Sequence, residues 1–507
     1  MSSFRQFFTM IILAVSITAA QGSPSTYFVS LQGNDSNPGT EAQPFRTIPK
    51  AVGVAVAGDT ILVRGGTYIS TTTISISKSG TADKYFTLKS YPGERALLNY
   101  STQAMGSRAI SLSGSYWHIE GFDVFGAGDN GLMISGGSHN RIVNCAFYRN
   151  RDSGLQMGNG ASYNEVINCD SYFNADPTDY GDADGFAAKL DVGVQNYFYG
   201  CRSWKNCDDG WDGYLRGADN VSTILENCWA FENGYLEDGT DPGAQANGNG
   251  FKMGGSDNKD LRHDFTVKNC LAFNNKVKGF DQNNNMGSMI LYNCSSFNNA
   301  GGNYKISRAL ADGEVLIIKN SLVLGDLGSL GDFAVQEANS WLPPFESTIE
   351  DYISIDPAAA YGPRKADGSL PDITFMHLAE GSDLIDGGVD VGLPFDGEAP
   401  DLGCFETVVP DDPDPTGTTL TPALTCKLWP NPASTSCIVN YSTGIRGMVS
   451  IVLFDLTGRQ VLNVDAGYSD GGKGSVVLDL SCLPKGVYIY RLQGGNTALV
   501  AGKLLVR

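Results

Sequence analysis

The sequence predicts an all-β chain: a right-handed parallel β-helix followed by a small C-terminal β-sandwich. Three observations carry that reading. First, the pattern Asn/Gly-Cys-x-x-aromatic-x-Asn recurs six times, beginning at Cys145, Cys169, Cys201, Cys228, Cys270 and Cys294. Three residues before each cysteine stands an apolar side chain: Ile142, Val166, Phe198, Leu225, Val267 and Leu291. Self-similarity at steps of 24 to 42 residues with strand-like patterning marks a solenoid of stacked coils. Second, a glycine column runs through Gly131, Gly154, Gly185, Gly210, Gly250 and Gly279, each followed by a large apolar residue. Third, the last 85 residues lose the repeat and show alternating strands of a different texture.

The elements follow in chain order. Residues 1–20 carry Arg5, an apolar run from Phe7 to Ile17 and small residues at 18–20, the pattern of a secretory signal peptide. A turn-rich stretch from Tyr27 to Tyr68 holds an amphipathic segment, Ile48 to Val56, expected as a short helix closing the open end of the first coil, and then the strand Thr60 to Val63. Coils are expected from about residue 60 to about 325, with a less regular segment reaching Glu406, so the β-helix domain is set at 21–407. Residues 408–422, rich in Pro, Asp and Thr, read as an extended linker, and 423–507 as the sandwich. No other apolar run reaches membrane-spanning length, and a monomer is expected.

Eleven cysteines in an exported chain would ordinarily suggest disulfides, but six occupy one repeat position among apolar neighbours and fit a ladder of buried free thiols. None of the four histidines, His118, His139, His263 and His377, pairs with cysteine at zinc spacing. A formal net charge of −20 excludes nucleic acid as partner. An acidic polysaccharide would also be repelled unless the site held its own cation.

Strand side chains alternate faces, so the residue two after each column glycine should leave the coil and face solvent: Met133, Gln156, Ala187, Asp212, Lys252 and Asp281. The residue before the glycine gives Asn130, Ser153, Asp184, Asp209, Asn249 and Lys278, so that Asp184 and Asp209 stack with Asp208 beside them. Most cysteine-to-glycine steps take nine residues, but those ending at Gly185 and Gly250 take sixteen and twenty-two. Both insertions fall at one corner and should wall a groove around the acidic columns. Four carboxylates so close repel unless protonated or neutralised, and oxygen ligands without sulfur or imidazole favour Ca2+ over zinc. Lys252, one coil beyond Asp212, would then feel the cation's field, lose some of its preference for the ammonium form and serve as a general base.

These residues resemble polysaccharide lyase family 9, the parallel β-helix pectate and rhamnogalacturonan lyases. The matching runs are Asp182 to Lys189, Asp208 to Asp212, Gly248 to Gly255 and Lys278 to Asn283. The resemblance implies Asp184, Asp208, Asp209 and Asp212 as Ca2+ ligands, Lys252 as Brønsted base, and β-elimination of a 1,4-linked galacturonate in an acidic pectic polysaccharide. Two competing readings are a metal-free, polygalacturonase-type hydrolase using paired carboxylates, and a non-enzymatic glycan-binding solenoid. The C-terminal segment resembles the sorting domain of the type IX secretion system through Leu428 to Pro432, Leu453 to Arg459, Gly486 to Leu492 and Lys503 to Arg507. That likeness implies recognition by the type IX machinery and a secreted or cell-surface protein.

Overall fold

The described residues of the computed structural model are 24–407 and 425–506, the latter without 430–432, 434–435, 444–445, 456–458, 471–472, 482 and 495–496. The expected signal peptide (1–20) and linker (408–422) lie outside the described residues. Two compact units emerge. The first runs to Ile318 and adds Val323–Val335 and Pro357–Ile373; the second takes the remaining segments, including the C-terminal strands.

The first unit is the right-handed parallel β-helix. Its coils contribute strands to three parallel sheets of twelve, ten and ten strands. One coil reads Leu132–Ser135, Arg141–Val143, Ala146–Tyr148, and the next Leu155–Gly158, Glu165–Ile167, Asp170–Tyr172. The apolar residues that precede the cysteines pair in unbroken register, Ile142 to Val166, Phe198, Leu225, Val267 and Leu291. The residues after the column glycines do the same from Leu132 to Phe280, and all are buried. Coiling starts earlier than expected, because Thr26–Val29 pairs in parallel with Thr60–Val63. The expected helix forms over Ile48–Val54, capped at its start by Thr47, and the Lys78 ammonium donates to the carbonyls of Val52, Gly53 and Ala55 at its end.

The repeat motif has a physical cause at each position. The Asn or Gly before the cysteine sits at the corner between two sheets with positive φ: Asn144 at 50°, Asn168 at 52°, Gly200 at 63° and Asn227 at 53°. Asparagine and glycine tolerate that left-handed conformation best. The six cysteines are buried and outside any disulfide, and the thiols of Cys169, Cys201, Cys228 and Cys294 approach a carbonyl one coil earlier at 3.3–3.6 Å. The aromatics stack coil on coil, Tyr148 on Tyr172 at 4.9 Å, Tyr172 on Trp204 at 4.3 Å and Phe231 on Phe273 at 4.7 Å. The terminal asparagines form a ladder in which each Nδ2 donates to the next Oδ1, from Asn150 through Asn174, Asn206, Asn233 and Asn275 to Asn299, at 2.8–3.1 Å.

One expectation is corrected. The column from Met133 to Asp281 does leave the coil, but it does not face solvent: Met133, Gln156, Ala187, Asp212, Lys252 and Asp281 are all buried. The inserted corner loops bond to residues beside it, with Lys189 Nζ donating to Asp182 O at 3.2 Å and Asn247 N donating to Asp208 Oδ1 at 2.6 Å.

In the second unit, strands Thr425–Trp429, Ser436–Ser442 and Lys473–Asp479 make one antiparallel sheet. Arg446–Phe454, Gln460–Asp470, Gly486–Gly494 and Thr497–Val506 make the other. Val439 and Leu478 from the first sheet share a core with Ile451, Leu453 and Leu492 from the second, which makes the expected sandwich.

Removing one rung of the asparagine ladder strands the donors of the coil below. Asn206→Ala should lower the unfolding free energy by about 1–3 kcal/mol, read as a lower urea midpoint, while activity at low temperature persists. An unchanged midpoint would mean that the ladder adds nothing to stability.

Candidate active site

Strands Phe186–Ala188, Trp211–Asp212, Phe251–Lys252 and Phe280–Asp281 lie side by side in register. That register sets Asp212 between Ala187 and Lys252, and Lys252 between Asp212 and Asp281. Asp184 and Asp209 precede the glycines of adjacent coils, and Asp209 N donates to Asp184 Oδ1 at 3.2 Å. Asp184, Asp209 and Asp212 each bring one carboxylate oxygen within 4.8 Å of the others, the single such group among the described residues. Asp208 stands beside this trio, buried, with one oxygen taken by Asn247 N.

Two lysines thread the acids. Lys252 Nζ lies 2.9 Å from Asp209 Oδ2 and 3.4 Å from Asp212 Oδ1, and 5.7 Å over the Tyr214 ring. Lys189 Nζ lies 2.7 Å from Asp184 Oδ2 and 3.5 Å from Asp212 Oδ2. Asn249 donates to Asp209 Oδ1 from both its backbone and its side chain at 2.8 Å, and Ser153 Oγ donates to Asp184 Oδ2 at 3.1 Å. Ser153 and Asn249 belong to the same column as Asp184 and Asp209, so the repeat already marked their places. Lys189 and Tyr214 lie outside the columns, and no periodicity pointed to them as partners of the acids. Lys252 lines a cleft of about 470 Å3 together with Tyr214, Asn247, Asn249, Lys278 and Asp281.

The electrostatics follow from burial and crowding. Burial, reinforced by Asp208, pushes the Asp209 carboxyl up to about 7 against the pull of Lys252. Burial also drives Asp184 well above the carboxylate range, and Lys189 does not offset it. Burial would raise Asp212 too, but Lys252 and Lys189 outweigh it and hold that carboxyl low. Burial acts to lower Lys252, yet Asp209 and Asp212 win and hold it well above the ordinary lysine value. The sequence expectation of a lowered Lys252 counted a cation's field and not direct contact with two carboxylates.

The donor set fits a hard cation. Asp209 Oδ2 is buried and, although Lys252 Nζ is near, has no donor aligned on it; Asn249 Oδ1 is likewise buried and without a donor. Such unsatisfied oxygens beside three clustered carboxylates are costly without a positive partner, and oxygen-only ligation suits Ca2+.

Raised carboxyl values carry a sign. A group that keeps its proton longer in the folded state contributes stability that is present below its unfolded value, about 4, and lost as pH rises toward the folded one. Asp209 sets that upper end at about 7, and Asp184 and Asp208 shift in the same direction. With chelator present, the melting temperature should therefore fall as pH is raised from about 4 to about 7, and the rise on adding Ca2+ should grow over the same window. Differential scanning fluorimetry reads both; a chelated melting temperature that climbs across the window would contradict the assignment.

Residues 27–319 match the family described as Pel9A-like, right handed beta helix region, and residues 427–507 match the secretion system C-terminal sorting domain. A pectate lyase L of Paenibacillus polymyxa is 39% identical over 404 residues, covering 75% of this chain and 86% of that protein. The crystal structure of pectate lyase Pel9A superposes with a TM-score of 0.70 at 34% identity, covering 76% of this chain and 97% of that one. A rhamnogalacturonan lyase follows at a TM-score of 0.61 and 27% identity, with 70% and 97% covered. The sorting domain implies secretion or display at the cell surface, and among the described residues no helix is long and apolar enough to cross a membrane. With its parallel coils, its cluster of buried aspartates beside a cleft and a family match over most of the β-helix, this chain belongs to the Pel9A-like right-handed β-helix family and is a polysaccharide lyase.

Proposed function

We propose that the chain cleaves a pectic polysaccharide containing 1,4-linked galacturonate by β-elimination, with Asp184, Asp208, Asp209 and Asp212 holding Ca2+ and Lys252 as the Brønsted base. The observation that carries this reading is the Lys252 amine on the cleft wall, 2.9 Å from a carboxylate oxygen with no aligned donor. Bound to the substrate carboxylate, Ca2+ would acidify the C5 proton and stabilise the enolate-like charge as that proton leaves.

The chain's own residues do the rest. Lys252 can give up its ammonium proton once the surrounding aspartate charge is neutralised, and its free amine then takes the C5 proton. The C5–H electron pair becomes the C4–C5 double bond as the C4–O bond breaks, leaving an unsaturated uronate. Asn249 and Ser153 fix the rotamers of Asp209 and Asp184, and Lys278, half-buried on the cleft wall, offers a cation to a neighbouring uronate carboxylate. The route of export would begin with a signal peptide over 1–20 and end with recognition of the C-terminal domain by the type IX machinery.

Incubation with homogalacturonan and with the alternating rhamnose-galacturonate backbone, with and without Ca2+, should give an ultraviolet-absorbing product on one or both backbones only when Ca2+ is present. Saturated products that form in chelator would mean hydrolysis instead. Lys252→Ala should cut the elimination rate at least about 100-fold, the low end of what a general base contributes, with Ca2+ binding retained. A smaller loss would mean that Lys252 is not the base.

A further inference from the structure

Strands Val221–Glu226 and His263–Lys268 are six residues long, the longest in the twelve-stranded sheet. The added length brings His263, fully buried, against the turn that follows Asp212. Its Nδ1 lies 2.8 Å from Gly213 O and its Nε2 2.8 Å from Thr223 Oγ1. A carbonyl can only accept, so Nδ1 carries the proton and Nε2 accepts from the threonine hydroxyl. Burial pushes the imidazole down to about 4, which agrees with a neutral ring.

The peptide that His263 holds is the one that holds Asp212. Gly213 supplies its carbonyl and Tyr214 its N–H, and that N–H donates to Asp212 Oδ1 at 2.9 Å. The same turn is bound on a second side, where Gly213 N donates to Lys252 O at 2.9 Å. On a third side the Phe265 ring closes in, so that a Cβ on Gly213 would lie 2.6 Å from it. Donation into the carbonyl polarises the peptide and strengthens donation from its N–H. The chain His263 to Gly213 carbonyl to Tyr214 N–H to Asp212 therefore fixes the position of one oxygen of the carboxylate lying between the two lysines. It also places the Tyr214 ring beside Lys252.

We propose that His263 is a positioning residue for the cation site, acting through the Gly213–Tyr214 peptide on Asp212. This rests on the reading of Asp212 as a Ca2+ ligand. Groups of this kind, one step removed from a ligand, change metal affinity by about 10- to 100-fold.

Calorimetry of Ca2+ binding to the full-length protein tests it. His263→Asn places an amide donor near the position of Nδ1 and should keep the dissociation constant within about threefold of wild type. His263→Gln places its amide near Nε2, toward Thr223 and away from Gly213, and should weaken binding by about tenfold or more. With Gln, turnover should return at saturating Ca2+. Thr223→Val removes a buried hydrogen bond from the same ring without touching the relay, so it should lower the melting temperature and leave Ca2+ affinity unchanged. The proposal fails if Gln binds as tightly as Asn, or if Thr223→Val weakens binding as much as Gln does. Absence of Ca2+ binding in wild type would instead sink the ligand reading of Asp212.

Discussion

Parallel coils stack at the strand spacing of about 4.8 Å, and every property of this molecule follows from what that spacing does to side chains placed on top of their own kind. Neutral groups gain from it. Asparagine amides donate and accept in an unbroken line, rings stack face to face at 4.3–5.6 Å, and apolar residues fill the interior coil after coil. Carboxylates lose from it. Asp184 and Asp209 occupy successive places in one column and Asp212 brings a carboxylate oxygen close to both, so the fold itself forces together charges that water would separate. Two lysines relieve part of that repulsion, and oxygens are left over that they do not satisfy. The cost is concentrated where the cleft opens.

The same stacking explains what could be read in the chain and what could not. Column membership is periodic, so the core, the asparagine ladder, the two inserted loops and the Asp184, Asp209, Asp212 and Lys252 positions were all visible as residues recurring at a fixed offset from a cysteine or a glycine. Exposure is not periodic. The Asp212–Lys252 column was expected in solvent because it leaves the coil, yet it is buried, and the inserted loops, whose conformation no repeat encodes, bond to residues beside it. Lys189, Tyr214 and His263 stand outside every column, and only the fold shows that Lys189 and Tyr214 reach the aspartates and that His263 reaches the Gly213 carbonyl in the turn after Asp212.

Burial also explains how a chain built for export carries a thiol ladder. Cys145, Cys169, Cys201 and Cys228 are pushed well above the ordinary thiol value, first of all by burial. The thiolate is the species that forms disulfides, so thiols held protonated inside the coil are chemically quiet even in an oxidising compartment. Cysteine here is used as a small residue that fits a crowded corner, with a weak donor aimed at a carbonyl of the previous coil.

Two lysines touch the same aspartate, and geometry separates their roles. Lys189 Nζ is enclosed by Asp184, Asp212 and the Asp182 carbonyl, and it does not line the cleft. Its charge is spent holding Asp184 and Asp212 together. Lys252 shares Asp212 but turns its other side to the cleft and to the Tyr214 face. A base must reach a proton on the substrate, and an amine walled in by protein acceptors cannot. Asp212 thus lies between an enclosed lysine and a lysine on the cleft wall, and this asymmetry favours Lys252 over Lys189 for the proposed proton transfer.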